Sequence, residues 1–204
     1  MATTTIDLDT ELSAVNSILG AIGQSPVTTL NFQNPEISFI YNILNEVNKD
    51  VQNEGWHFNI ENHIKVTLDA DGPITYPSDA LRYDLHDGIT NKVRDVVKRS
   101  GNVYDLVNHT ETFTKGDYYF DKVTLYAFTD LPNVFQRYIT YRSASRAAAQ
   151  LVANPTLVQL LQQQESASRA ACVEYDCNQG DHSFFGVPHN SNYHSYQPID
   201  SLRR

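Results

Sequence analysis

The change of hydrophobic period at Gly55-Trp56 constrains the fold of this 204-residue chain more than any other feature. Before this point, apolar residues recur every three or four positions, a spacing that is typical of amphipathic helices. After it, Ile64, Val66 and Leu68 alternate with polar residues, as in a half-buried strand. Helical spacing returns after Asp130-Leu131-Pro132. The pattern therefore predicts a β region inserted into the middle of a helical domain.

Capping residues and prolines mark the ends of four predicted helices. Asn34-Pro35 and Asn154-Pro155 each place a capping residue directly before a proline at the first helical position. The predicted helices cover about 10–22, Pro35 to Glu54, Asp130-Leu131-Pro132 to Ala153, and Thr156 to Cys177. Because only a few residues join the last two, these are expected to form an antiparallel hairpin. The first two must pack against that pair, since a lone helix cannot bury its apolar stripe.

We therefore expect an α+β fold: an antiparallel helical bundle of about four helices, with an inserted small antiparallel β region and an extended C-terminal tail. The predicted domains are a discontinuous helical domain of residues 1–55 and 129–178, a β-rich insertion of residues 56–128, and a tail of residues 179–204. Within the insertion, Ser100-Gly101-Asn102 predicts the turn of a hairpin, and Tyr118 to Phe128 predicts the last strand.

Charge and hydropathy argue against several classes of protein. The formal net charge is −9, and most of the acidic excess falls within residues 1–55, whereas a surface that grips nucleic acid should be basic. No apolar run approaches the length of a membrane helix. Met1 to Thr5 show no secretory signal, so we expect synthesis and folding in a cytosol. Cys172 and Cys177 are expected to be buried free thiols, in keeping with that compartment.

The residues that could carry chemistry form no recognisable catalytic motif. His57, Glu61 and His63 would share one side of an extended chain and could supply zinc ligands, but a polar strand face explains them better. The aspartates that could supply a pair of hydrolytic carboxylates are explained equally well as solvated turn residues; they are Asp69, Asp71, Asp79, Asp84 and Asp87. We assign no catalytic residue, no metal ligand and no cofactor.

Three arginines of the third helix, Arg137, Arg142 and Arg146, are candidate subunit-interface residues. Arg142 and Arg146 share one helix face. They could pair with the acidic N-terminal helices, either within one subunit or across an interface. A second basic cluster, on the hairpin, could contact an acidic partner or protect an exposed strand edge; it contains Lys92, Arg94, Lys98 and Arg99.

The tail from residue 179 lacks periodicity but is unusually aromatic. Phe184, Phe185, Tyr193 and Tyr196 are further candidate subunit-interface residues, because such residues are rare in plain disordered segments. The tail either orders on another surface, such as a neighbouring subunit, or forms a flexible terminus.

Several blocks of the chain match a known family. They are Glu11-Leu12-Ser13-Ala14-Val15-Asn16, Ile18-Leu19, Ile22-Gly23, Pro26-Val27, Thr29-Leu30, the helix ending at Asn53-Glu54, Gly55-Trp56-His57-Phe58-Asn59, Asp130-Leu131-Pro132, Phe135, Arg137-Tyr138, Ile139 and Ser145-Arg146. The late helix, with Glu165, Arg169 and Cys172 to Tyr175, is similar in character. Over about residues 10–178 the chain resembles the tail tubular A proteins, which are the adaptor or gatekeeper proteins of short-tailed podoviruses. The β region and the tail after residue 178 offer no residue-level match.

The resemblance implies a structural protein of the virion tail, assembled in the host cytoplasm. It implies a ring of twelve copies between the portal protein and the tubular nozzle protein, with tail fibre protein attached near the adaptor–nozzle junction. Genomic DNA would pass through the central channel with only transient, non-specific contacts, and an acidic lumen would let it slide. No membrane partner and no enzymatic activity are implied.

Two other classes of function stay open at this point. One is a tail-associated hydrolase of cell-wall or capsule polysaccharide, which would need a paired-carboxylate cleft in the β region. The other is a monomeric binding module that uses the aromatic tail.

Overall fold

The computed structural model describes residues 10–86, 94–152 and 154–180. These residues divide into two compact units. The helical unit comprises the described residues of 10–54 and 126–176, and the β unit comprises those of 55–125 together with residues 177–180. The predicted α+β class is confirmed, because the described residues form four α-helices and several small antiparallel sheets.

Local capping determines where the first two helices begin. Helix α1 (Glu11–Ala21) starts after Thr10, whose hydroxyl oxygen accepts a hydrogen bond from the Ser13 amide, and it ends before Gly23, which has a φ of +81°. Helix α2 (Pro35–Asn53) starts after Asn34, whose side-chain oxygen accepts from the Glu36 amide. Both helices therefore lie within two residues of their predicted ranges.

Helix α2 buries more than the predicted apolar stripe. Alongside the apolar side chains it buries two amides, Asn48 and Gln52, and Gln52 is fully inaccessible to solvent. The Gln52 amide donates to the Tyr126 carbonyl at 2.9 Å, and its oxygen accepts from the Tyr126 amide at 2.8 Å. Since both backbone groups of Tyr126 are bonded in this way, this side chain holds residue 126 against α2.

Helices α3 (Asn133–Ala147) and α4 (Pro155–Gly180) run antiparallel, as predicted. Val134 of α3 contacts Cys172 of α4, Tyr138 contacts Arg169, and Arg142 contacts Glu165. The partners on α4 therefore come in reverse order along the chain, as they do in an antiparallel pair of helices. A π-helical turn, Ala148–Val152, continues α3. The packing of all four helices as one antiparallel bundle stays a prediction.

The β unit is built from three small antiparallel sheets. Strand β7 (Gly116–Thr124) lies between β1 (Ile60–Leu68) and β3 (Ala80–Leu85) in the first sheet. The other two sheets pair β2 (Gly72–Pro73) with β6 (Thr112–Phe113), and β4 (Val96–Arg99) with β5 (Asn102–Asp105). The core of the unit consists of Ile74, Tyr83, Leu85, Val96, Val103, Phe113 and Phe120.

The predicted hairpin is confirmed, whereas the predicted end of the last strand is wrong. Ser100 and Gly101 both have positive φ, at 50° and 84°, which joins β4 and β5 by the tight turn that the sequence indicates. Strand β7 stops at Thr124 rather than continuing to Phe128, and Phe128–Asp130 forms a 3-10 helix. The backbone groups of Tyr126 bond the Gln52 side chain instead of a strand.

The predicted alternation of His57, Glu61 and His63 along one extended chain is also wrong. His57 belongs to a 3-10 helix, His57–Asn59, and a β-bulge shifts the register of β1 between Glu61 and Ile64. His63 sits in this bulge at a φ of 61°, and its ring stacks on Tyr119 at 4.2 Å between centroids. The three side chains therefore do not form one face of a strand.

Candidate subunit interface

The three candidate arginines of α3 have different surroundings. Arg142 and Arg146 lie against carboxylates of the same helical unit, whereas Arg137 is exposed. The tail candidates Phe184, Phe185, Tyr193 and Tyr196, and hairpin residue Lys92, lie outside the described residues.

Arg142 and Arg169 converge on one carboxylate and one hydroxyl. Arg142 Nη1 lies 3.3 Å from Glu54 Oε1 and donates to the Tyr138 hydroxyl oxygen at 3.1 Å. Arg169 Nη2 donates to Glu54 Oε2 at 2.8 Å, and its Nη1 donates to the same Tyr138 oxygen at 2.9 Å. Hydrogen bonds from Arg169 to Glu54 and Tyr138 raise the pKa of this arginine further above its usual range. The hydroxyl group of buried Tyr138 thus joins α3 to α4 through the two arginines, and both arginines also contact Glu54, the residue that follows α2.

Arg146 forms a second, more exposed group with α2. Its guanidinium lies 3.3 Å from both Glu46 Oε2 and Asp50 Oδ2, and those two side chains are 64% and 55% exposed. Exposed pairs of this kind stabilise a protein by less than about 1 kcal/mol. The structure therefore shows the intramolecular alternative for Arg142 and Arg146, while an additional role between subunits stays a prediction.

The sequence spacing of these residues indicates in advance that acidic and basic side chains could pair between α2 and α3. Glu46, Asp50 and Glu54 recur every four positions on α2, and Tyr138, Arg142 and Arg146 do so on α3, so each set lies along one face. Sequence reasoning nevertheless left Arg169 out of the candidate set. Nothing in the local pattern of α4 shows which neighbouring helix its arginine contacts.

Arg137 lies where two grooves of the helical unit meet. A groove of about 530 Å³ is lined by α1 and α3, and one of about 290 Å³ is lined by α3 and α4. Both include Val134, Arg137 and Tyr141 of α3. The other described residues that line the two grooves are uncharged, and no carboxylate of residues 10–86, 94–152 or 154–180 forms an ion pair with Arg137.

Most of helix α4 is open to solvent. Leu161 and Cys172 are its only buried side chains, although the helix extends over 26 residues. Leu160 is 56% exposed, and near the same end of the hairpin Leu151 and Val152 of the π-helical turn are 45% and 39% exposed. Large exposed apolar side chains near one end of a helical hairpin are typical of a contact surface.

The basic residues of the hairpin pack on aromatic rings of their own unit. The Arg99 guanidinium lies 3.7 Å from the centre of the Tyr104 ring, and Lys98 Nζ lies 4.6 Å from that of Tyr76. Arg94 donates to the Tyr118 hydroxyl oxygen at 3.2 Å. These contacts hold the three cations within the β unit, and a further contact with an acidic partner stays a prediction.

Several of the considered carboxylates are bound to neighbouring groups. Asp79 Oδ2 accepts from Lys122 Nζ at 2.7 Å, and Asp71 Oδ1 accepts from the Lys115 amide at 2.6 Å. Asp87 lies outside the described residues. The described part of the chain contains no group of three or more histidine, cysteine or acidic side chains placed to hold a metal ion. Its helices include none with the length and hydropathy required to cross a membrane.

The two cysteines differ, which corrects the expectation that both are buried. Cys172 is buried, whereas Cys177 is exposed near the end of α4, and both are free thiols. Burial raises the pKa of the Cys172 thiol to about 12. Its Sγ also donates a hydrogen bond to the Val134 carbonyl at 3.3 Å.

We expect iodoacetamide at pH 8 to alkylate Cys177 and leave Cys172 unmodified in the folded protein. The thiolate is the reactive form, and a pKa near 12 leaves only about one Cys172 thiol in ten thousand ionised at that pH. Peptide mass mapping after a timed reaction measures both sites. A Cys177→Ser variant should take up label only after addition of denaturant, and equal labelling of the two cysteines in folded protein would contradict the structure.

Comparison with known proteins agrees with a structural role. The family model described as "Tube: Tail tubular protein" matches residues 12–182. A curated relative, Tail tubular protein A of Klebsiella phage KP34, is 34% identical over 104 residues, which cover 50% of this chain and 53% of the relative. The match thus spans about half the length of that relative. Because the family model covers most of the chain, the protein belongs to the tail tubular protein family, whose members are structural components of the bacteriophage tail.

Proposed function

We propose that this protein is a tail adaptor that assembles as a ring of twelve copies between the portal protein and the tubular nozzle protein. Genomic DNA passes through the central channel, and tail fibre protein attaches near the junction with the nozzle. Membership of the tail tubular protein family and the similarity to Tail tubular protein A of phage KP34 support this role. The acidic net charge of −9 favours a channel in which DNA slides without sticking, provided that the acidic side chains face the lumen.

The observation that carries the proposal is the exposure of α4 and of the adjoining helical turn. A 26-residue helix with two buried side chains leaves a large surface without an intramolecular partner in the described part of the chain. Leu151, Val152 and Leu160 add apolar area that folding of the monomer does not bury. Such a surface suits a protein that completes its packing by assembly.

Assembly with purified portal protein tests the proposal. We expect wild-type protein to form twelve-fold rings on the portal, visible in negative-stain images. A triple variant, Leu151→Gln, Val152→Thr and Leu160→Gln, should lower ring occupancy at least tenfold, because truncation of central apolar contacts costs each copy several kcal/mol of binding. The helical content measured by circular dichroism should not change, since the three side chains are exposed.

Val173→Thr is the matched control, because Val173 is 45% exposed on α4 but lies away from the end of the hairpin. It should leave ring occupancy near the wild-type value. Infectious particles that mature without this protein would refute the proposal. Cleavage of cell-wall or capsule polysaccharide by purified protein, abolished by replacement of one carboxylate, would establish the hydrolase alternative instead.

A further inference from the structure

The end of the hairpin that α3 and α4 form is free of charged side chains. Charged residues make up 19% of the chain, yet none occurs from residue 147 to residue 164. Within this stretch the π-helical turn Ala148–Val152, here called the tip, leaves Leu151 45% exposed and Val152 39% exposed. Exposed aliphatic side chains in a region depleted of charge are characteristic of the central part of a protein–protein interface.

The tip also ends in hydrogen-bond acceptors. The last carbonyl groups of a helix have no partner within that helix, and here they belong to the π-helical turn that continues α3. This turn contains no basic side chain to offset the negative end of the helix dipole. The amides at the start of α4 are already capped, because Asn154 Oδ1 accepts from those of Thr156 and Leu157 at 3.1 and 3.3 Å. The tip therefore favours a partner that donates hydrogen bonds.

The groove of about 290 Å³ between α3 and α4 has the complementary character. Its described lining consists of Val134, Arg137, Tyr141, Gln164, Ala167, Ser168 and Ala171. The small side chains on the α4 side leave room for aliphatic groups beside Val134 and Tyr141. Arg137 is the only charged residue of this lining, and a guanidinium group donates hydrogen bonds and accepts none.

The tip and the groove of one chain cannot meet. Leu151 lies ten residues beyond Tyr141 on one continuous helix, which places it roughly 15 Å along the helix axis from the near end of the groove. A leucine side chain is much shorter than this distance, so a tip can enter such a groove only on another copy. A contact between two different faces of the same subunit is heterologous, and it generates a ring when its rotation closes.

We propose that the tip of one copy docks in the α3–α4 groove of the next copy in the ring. The two aliphatic side chains of the tip contact Val134 and Tyr141 there, and Arg137 donates to the carbonyl groups at the end of the helix. A second copy is the favoured partner because the chain itself carries both complementary surfaces. Nucleic acid is a poor partner, because the tip offers its phosphates no cation. The inference rests on the proposed ring and assigns the two faces that meet in it.

Disulfide trapping tests which surface the tip contacts. In a Cys177→Ser background, where buried Cys172 is protected, one batch carries Leu151→Cys in the tip and another carries Ala167→Cys in the groove. The two batches are mixed, assembled on portal protein and oxidised. We expect a cross-linked dimer on a non-reducing gel, about tenfold more abundant than when Ser166→Cys replaces Ala167→Cys, because Ser166 lies on the opposite face of α4.

A chain that carries both Leu151→Cys and Ala167→Cys gives a second measurement. In a ring of heterologous contacts each copy is linked to two neighbours, so oxidation should produce a ladder of oligomers that extends beyond the dimer. A cross-link within one chain, or linkage that stops at the dimer, would overturn the inference.

The trapping experiment also separates the inference from the proposed function. Rings that assemble but give no more cross-linked species than the Ser166→Cys control would overturn the inference and leave the proposed function intact. Absence of rings with wild-type protein would refute both.

Coupled substitutions give an independent measurement. We expect the tip variant Leu151→Gln and the groove variant Ala167→Gln each to raise the protein concentration needed for half-maximal ring assembly about tenfold. Because both remove the same contact, the double variant should also lose about tenfold, rather than about a hundredfold. Ser166→Gln, at an exposed position on the opposite face of α4, is the matched control and should have little effect. Multiplication of the two losses would show that the tip contacts another surface, such as that of the portal protein, and would overturn the inference.

Discussion

Gln52→Ala is expected to lower the free energy of unfolding of the helical unit by about 2–4 kcal/mol. The Gln52 side chain is fully buried, and it bonds both the amide and the carbonyl of Tyr126. It also donates to Asn48 Oδ1 at 2.8 Å. Loss of a partner for a buried polar group costs about 1–3 kcal/mol for each group, and the vacated volume adds a cavity cost.

The position of residue 126 makes this effect larger than that of an ordinary buried amide. Tyr126 begins the second stretch of chain that belongs to the helical unit, and Gln52 lies near the end of the first stretch. The two bonds therefore close the helical unit where the chain returns to it. Without them, we expect the backbone around Tyr126 to exchange its amide hydrogens faster than the core of α2.

Urea unfolding followed by hydrogen exchange mass spectrometry measures this prediction, because it assigns the loss to peptides of the helical unit. Asn42→Ala is the matched control, since Asn42 is an exposed amide on the same helix. It should change the free energy of unfolding by less than about 0.5 kcal/mol. An equal effect of the two substitutions would show that the Tyr126 bonds do not stabilise the unit.

Asp105→Ala should lower the stability of the β unit by about 3 kcal/mol at neutral pH. The Asp105 side chain is only 2% exposed at the end of β5. Its Oδ1 accepts from the amides of Val107 and Asn108 at 2.8 and 2.9 Å, and its Oδ2 accepts from Asn108 Nδ2 at 2.8 Å. Truncation leaves these donors without their acceptor and removes the partner of Arg94, which lies 3.8 Å away.

The Asp105 carboxylate should also make the stability of the β unit fall at acidic pH. Burial by itself would raise the pKa of Asp105, but hydrogen bonds from Asn108 and Val107 and the charge of Arg94 outweigh it and hold the pKa below its usual range. A lowered pKa means that the stabilisation is complete above the ordinary carboxyl range and is lost as pH falls toward the folded-state value. The wild-type β unit should therefore lose more stability between pH 5 and about pH 3 than an Asp105→Asn variant.

Chemical denaturation at several pH values, read by hydrogen exchange in β4 to β7, measures both effects. Asp105→Asn should fall between wild type and Asp105→Ala at neutral pH, because its oxygen still accepts from two amides while its amide nitrogen faces Asn108. Asp95→Ala is the matched control, since Asp95 is exposed on the segment that leads into β4. A pH profile of Asp105→Asn that parallels wild type would contradict the role of this carboxylate.

The elements that sequence reasoning placed correctly depend on neighbours in the chain. Asn34-Pro35 starts α2, and the positive φ of Gly23 follows the end of α1, because caps and helix stops are local geometry. Ser100-Gly101 likewise makes the hairpin turn from two residues. The family resemblance over residues 10–178 agrees with the family match over residues 12–182.

The contacts that define the candidate interface depend on residues far apart in the chain. Helical spacing alone indicated that Arg142 and Arg146 share a face, but it left open whether the acids of α2 lay in the same copy or in a neighbour. The packing of α2 beside α3 shows that the acids that pair with Arg142 belong to the same copy of the chain, and the tertiary structure also places Arg169 next to Glu54. Three other features also depend on contacts between segments that are far apart in the chain: the burial of Gln52, the bulge at His63 and the exposure of Cys177.

The sequence by itself thus determined the α+β class, the helix starts, the hairpin and the family, because short-range backbone geometry and hydrophobic period carry that information. The tertiary structure alone decided that Arg142 and Arg146 pair with carboxylates of their own subunit, whereas Arg137 forms no ion pair with a described residue. The physical reason is that an ion pair or a buried amide depends on distances of a few ångströms between segments whose relative placement no local pattern encodes.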